Sequence, residues 1–156
     1  MRRVEFFYPA LPKRSLSPNA TARHLYNSDA ILELRSGTTQ HLLSYEAVRG
    51  LTEPFARARV HVVWHLTKRR PSILQCPRCL QWALKHKRSN KERCLCYRPL
   101  DPTNAISSLK AFWDGITDAG IWPDDTWEYV ELGRHARQLV GALSEEGLWV
   151  EIEEIP

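Results

Sequence analysis

The 156-residue chain lacks any apolar run approaching the ~20 residues of a membrane-spanning helix, which argues against an integral membrane protein. It also lacks a signal-like start. Met1-Arg2-Arg3 leads into Val4-Glu5-Phe6-Phe7-Tyr8-Pro9, too short and too charged for a secretory segment, so a reducing cytoplasm is the expected setting. Cysteine is absent outside positions 76–96. A domain of this length buries roughly 70% of its unfolded surface and needs no disulfide to fold. There is no internal repeat and no low-complexity tract, and six Trp, five Tyr and four Phe exclude long disorder. Acidic residues are scarce where basic ones are common: residues 1–100 hold 19 Lys/Arg and six Asp/Glu, whereas residues 101–156 hold three and twelve. A basic part attracts a polyanion, for which nucleic acid is the expected candidate, and an acidic part suits a divalent cation.

The pattern predicts one α+β domain over residues 1–156, a small mixed sheet packed by helices, with an insert over 68–98. Val4–Tyr8 reads as a strand, followed by a Pro-rich loop from Pro9 to Pro18. A helix is expected from about Asn27 to Arg35, stopped by Gly37, and a second from Thr38 or Thr39 to Val48, ended by Gly50. Arg57–Leu66 alternates as a strand. A helix over about 104–119 presents Ile106, Leu109, Phe112, Trp113 and Ile116 on one face, with Gly120 just past its end. Trp127–Leu132 and Leu148–Ile155 read as closing strands.

The insert carries all four cysteines and ten Lys/Arg against one Glu. Cys76-Pro-Arg-Cys79 and Cys94-Leu-Cys96 are two tight pairs separated by 14 residues, the ligand supply of a tetrahedral Zn²⁺ site without an open position, hence structural. His86 or His65 is an alternative to one of the four. Competing readings are disulfides, disfavoured in a reducing compartment, a redox CxxC, which has no use for the second pair, and separately buried thiols. A zinc-held loop would present Arg78, Lys85, Lys87, Arg88, Lys91 and Arg93 to phosphates, with Trp82 and Tyr97 either stacking on bases or packing the insert's own core.

Carboxylates bracket the 104–119 helix: Asp101 before it and Asp124-Asp125 after it, with Lys110 and Asp114 one turn apart on its polar face. Gathered carboxylates hold Mg²⁺ for phosphodiester hydrolysis, and a nearby lysine stabilises developing negative charge. Sixteen helical residues span about 22 Å, so Asp101 and Asp125 meet only if the chain turns back along the helix. The alternative is that Asp101-Pro and Pro123-Asp-Asp are ordinary turn residues and Lys110–Asp114 a surface pair.

The stretch Asp101-Pro-Thr-Asn104 … Leu-Lys110-Ala-Phe-Trp-Asp114-Gly-Ile-Thr-Asp-Ala-Gly120-Ile-Trp-Pro-Asp124-Asp125 resembles the RusA family of Holliday-junction resolvases, as does Leu16-Ser17-Pro18-Asn19-Ala20 more weakly. The resemblance covers the chain outside about 68–98. It implies a homodimer of α+β fold that nicks branched DNA in a Mg²⁺-dependent reaction, in recombination or repair in a prokaryotic or phage-infected cell. Position by position, it implies catalytic roles for Asp101, Lys110 and Asp125, magnesium ligation by Asp101 and Asp125 with Asp124 assisting, and a place in the motif for Asn104. Thr103 stands where the family has a second aspartate, and the Asn104-to-Lys110 spacing is three residues longer. Lys13, Arg14, Asn19, Lys68, Arg69, Arg70, Lys85, Lys87 and Arg88 are the expected DNA contacts. The alternative expectation is a zinc-stabilised nucleic-acid-binding protein without cleavage.

Overall fold

The structure is a computed structural model and describes residues 2–12, 16, 28–66, 76–85, 100–134, 137–141 and 145–156; the side chains of Pro77, Arg78, Cys79 and Trp82 lie outside that description. The described chain is α+β. The elements in order are β1 (Arg3–Tyr8), α1 (Ser28–Ser44), α2 (Glu46–Arg49), β2 (Ala58–Leu66), α3 (Pro77–Lys85), α4 (Pro102–Ser107), α5 (Lys110–Asp118), β3 (Val130–Leu132), β4 (Arg137–Val140) and β5 (Gly147–Glu154). Among the described residues, no helix is long and apolar enough to cross a membrane.

The strands form a five-stranded mixed sheet. β5 lies between β1 and β2 and is antiparallel to both, with Phe6 opposite Val150 and Val60 opposite Ile152. On its other side β2 pairs in parallel with β3 along Ala58–Val60 and with β4 along Val63–Leu66. Strict alternation puts Val4, Phe6 and Tyr8, Ala58, Val60, Val62, Trp64 and Leu66, and Leu148, Val150 and Ile152 on one buried face. Helices α1 and α5 cover that face. Phe112 of α5 lies 5.5 Å from the ring of Tyr8 and 6.3 Å from that of Phe6, and His41 of α1 stands edge-on to Tyr8 at 5.3 Å.

Several expected boundaries move. Gly37 does not stop a helix: α1 runs through it, because Ala30, Leu34, Thr38 and Leu42 make one buried stripe at four-residue spacing. A side chain at Gly37 would meet the Tyr8 hydroxyl at 2.9 Å, so the glycine serves helix–strand approach rather than termination. The expected helix over 104–119 is two helices. Ser108 turns its hydroxyl back to Ala105 O (2.8 Å), and Leu109 N reaches only to Ile106 O (3.0 Å), a tight turn before α5 begins. Leu109, Phe112, Trp113 and Ile116 are buried as expected; Ala105 is buried where Ile106 is half-buried. Gly120 does sit past the helix end, at φ +76°. The strand expected from Trp127 begins only at Val130, because residues 126–129 form a turn, and β4 has no counterpart in the sequence reading. The basic insert contains a helix, α3, starting immediately after Cys76.

Candidate active site

Asp101 is the N-cap of α4. Its backbone is extended (φ −62°, ψ 155°), its Oδ1 accepts from Asn104 N at 3.0 Å, and Pro102 follows at the first helical position, where no N–H is needed. The Asn104 side-chain amide donates to Asp101 Oδ2. Both carboxylate oxygens are therefore engaged by one residue, a role that the three-residue Asp-to-Asn spacing supports.

Lys110 opens α5 and points out of it. After α5 the chain passes Gly120, buries Ile121 and Trp122, and turns back. Trp122 fixes this return by donating its indole N–H to Thr117 Oγ1 at 2.7 Å, and Ile121 O accepts from Phe55 N at 2.8 Å. The return delivers Asp125 to the start of the same helix. Lys110 Nζ donates to Asp125 Oδ2 at 2.5 Å and to Asp114 Oδ1 at 2.6 Å. Asp124 Oδ1 accepts from Asp125 N at 2.8 Å and so stiffens the turn.

One ammonium thus sits between two carboxylates, with a third adjacent in the chain. Burial works against the charge on Lys110, but the hydrogen bonds to Asp114 and Asp125 outweigh it, and its pKa lies above the ordinary lysine value. The group carries a local negative excess that a cation relieves, and its oxygen donors suit a hard divalent ion.

Of the expected site residues, Lys110, Asp124 and Asp125 come together and Asp114 joins them. Asp101 hydrogen-bonds to Asn104 and to none of these. Among the described residues no three His, Cys, Asp or Glu side chains converge closely enough to cage a metal ion. Of the expected zinc ligands, Cys76 is buried and its carbonyl accepts from Leu80 N at 2.8 Å; Cys79 lies one turn further along α3. The Cys79 side chain, Cys94, Cys96 and His86 are outside the described residues, as are Lys13, Arg14, Asn19, Lys68, Arg69, Arg70, Lys87 and Arg88. Lys85 is exposed in the last turn of α3. His65 lies on the face of β2 opposite the core, with its Nδ1 buried and without a hydrogen-bond partner among the described residues, and burial lowers its pKa.

Arg35 of α1 grips Asp118 at the end of α5 with two hydrogen bonds of 2.5 and 2.7 Å, and so holds the site helix against α1. Sequence reading missed this tie, since the partners are 83 residues apart. No protein-family model matches the chain, and no curated protein matches it.

Proposed function

We propose that this protein is a Mg²⁺-dependent, structure-selective DNA endonuclease of RusA-like type, which resolves Holliday junctions or other branched DNA by nicking phosphodiester bonds. The observation that carries the reading is the contact between Lys110 and Asp125, two residues that the resemblance pairs in one reaction and that the return after α5 brings to 2.5 Å. Asp124 and Asp125 offer hard carboxylate oxygens beside Lys110, and Asp101, which caps α4 and is held by Asn104, would have to join them to complete the ligand set that the resemblance implies. Bound there, the ion's contribution is to activate a water and neutralise phosphate charge. Asp125 orients the reacting phosphate's surroundings from a turn locked by Asp124 and Trp122. Lys110, kept protonated by Asp114 and Asp125, sets its charge where negative charge grows on the leaving oxygen. We further propose zinc bound by Cys76, Cys79, Cys94 and Cys96, a homodimer that presents two sites to a twofold-symmetric junction, and a cytoplasmic location.

The test is nicking of a synthetic four-way junction by purified protein in Mg²⁺. Wild type is expected to nick; Asp125→Asn abolishes nicking while junction binding survives, and Lys110→Met lowers kcat by roughly 10²-fold, the usual cost of one transition-state donor. A second reading, a zinc-stabilised nucleic-acid-binding protein without cleavage, draws on the engagement of both Asp101 oxygens by Asn104 and on Thr103 at the family's second aspartate position. Tight junction binding with no nicking in Mg²⁺ or Mn²⁺ decides for it.

A further inference from the structure

The turn that carries Asp124 and Asp125 also holds a tryptophan out in solvent. Trp127 is 81% exposed, two residues beyond Asp125. Its position is built rather than loose. Upstream, Ile121 and Trp122 are buried. Downstream, Thr126 O accepts from Tyr129 N at 3.0 Å and Val130 N at 2.9 Å, closing a turn around Trp127, and Tyr129 O accepts from Ala58 N at 2.8 Å. The indole therefore stands at the crest of a hydrogen-bonded turn anchored to the core at both ends.

Its surroundings decide what it can receive. Its sequence neighbours Thr126 and Glu128 are exposed and polar, so no apolar run extends from the ring along the turn. Asp124, Asp125 and Glu128 flank it and repel phosphate. What remains suited to the ring is a flat, uncharged aromatic surface. A nucleobase with an unstacked face is one; a base inside a duplex is already stacked on both faces and is not available.

We propose that Trp127 is a stacking platform for a base left unstacked at the branch point of the DNA, a selectivity-determining residue beside the Lys110–Asp125 site. This rests on the reading of the protein as one that acts on branched DNA. It supplies what phosphate contacts cannot, a preference for branched over linear DNA near the site.

The test reads binding, in buffer without divalent cations, for full-length wild type, Trp127→Ala and Trp127→Phe. The probes are a four-way junction, the same junction with abasic residues at the branch, and a linear duplex. Circular dichroism melts confirm that the variants fold. Trp127→Ala is expected to weaken junction binding about tenfold and duplex binding not at all, while Trp127→Phe keeps most of the affinity. Abasic residues at the branch weaken wild type by about the same factor and add little to the loss in Trp127→Ala. Undiminished junction binding by Trp127→Ala overturns the proposal, as do an equal loss on linear duplex, a full additional loss on the abasic junction, or no junction binding by wild type. A change of oligomeric mass in Trp127→Ala with unchanged DNA binding also overturns it, placing Trp127 in a protein contact. Because cleavage is not read, the stacking pattern without nicking in Mg²⁺ removes the nuclease and leaves the platform; nicking without the pattern does the reverse.

Discussion

Lys110 and Asp114 have the spacing of a surface ion pair on a helix, in the weaker Lys-before-Asp order, and by themselves would contribute little. Asp125 changes their meaning, because a single ammonium now answers two carboxylates at 2.5 and 2.6 Å. No local rule shows this, since the third member arrives from 15 residues away through the turn fixed by Trp122. His65 is the opposite case, a polar group in a strand pattern whose Nδ1 is buried and unpartnered among the described residues. Burial lowers its pKa, so the folded state disfavours the imidazolium. The unfolded chain binds the proton more readily. The stability tied to neutral His65 is therefore fully present above the ordinary value of 6.5 and lost as pH falls from there through the lower folded value. Thermal melts of wild type and His65→Leu between pH 5 and 8 check this. The variant is expected to be near-neutral at pH 8, since an apolar replacement leaves no unpaired polar atom, and to lose less stability than wild type toward pH 5. Parallel pH profiles for the two would show that His65 does not carry this dependence.

Helices α1 and α5 cross where Gly115 faces Thr38. A methyl placed on Gly115 would lie 2.6 Å from Arg35 O and 2.7 Å from Thr38 Cβ, one of them backbone, so neither helix can accommodate it without moving. Thr39 Oγ1 also donates to Gly115 O at 3.1 Å across the crossing. Gly115→Ala gains about 1 kcal/mol of helix propensity but forces overpacking that costs roughly 1–3 kcal/mol beyond it. The net effect expected is a fall in Tm of about 2–12 °C, given ~2–4 °C per kcal/mol at this chain length. An unchanged or raised Tm by scanning calorimetry would contradict the crossing. The sequence exposes the material of these elements better than their ends. The alternation of β2 and the apolar face from Leu109 to Ile116 were legible because each has one period and one buried side. Gly37 misled because a glycine's helix-stopping role depends on its backbone leaving the helix, which tertiary packing on Tyr8 prevents. The break between α4 and α5 turns on the Ser108 hydroxyl and leaves the apolar face intact, so no pattern of hydrophobicity reports it. β4 is four residues at the sheet edge, next to β3 on the same side of β2, without a buried stripe of its own. The candidate site was legible as a set of residues through its resemblance; the joining of Asp125 to Lys110 depended on a reversal that sequence only permits.

Charge along the chain suggests two regions of opposite sign, but folding mixes them. Arg2 binds Glu154 at 2.6 Å, Arg3 binds Glu151 at 3.2 Å, Arg35 binds Asp118, and Arg59 lies between Glu131 at 2.8 Å and Glu153 at 3.3 Å. Four basic residues of the first hundred are thus matched by acids of the last fifty-six, three of the four pairings running across the sheet. Residues 68–98 behave differently in the ledger: ten Lys/Arg against one Glu is a surplus of nine, and with a total of +4 the rest of the chain carries −5. Attraction for a polyanion therefore has to come chiefly from the insert rather than from the amino-terminal two-thirds as a whole. Each phosphate neutralised by a lysine or arginine steepens the salt dependence of binding by about 0.9 in log–log slope. Lys85→Gln, Lys87→Gln and Arg88→Gln combined should make the slope for junction binding shallower by about two to three and weaken affinity alike for junctions of different sequence. Arg59→Gln should leave the slope unchanged, because its charge already faces two glutamates within the sheet. Fluorescence-anisotropy titrations between roughly 50 and 200 mM NaCl separate the two variants. If the triple variant keeps the wild-type slope, or Arg59→Gln flattens it, the insert is not the surface that meets the phosphates.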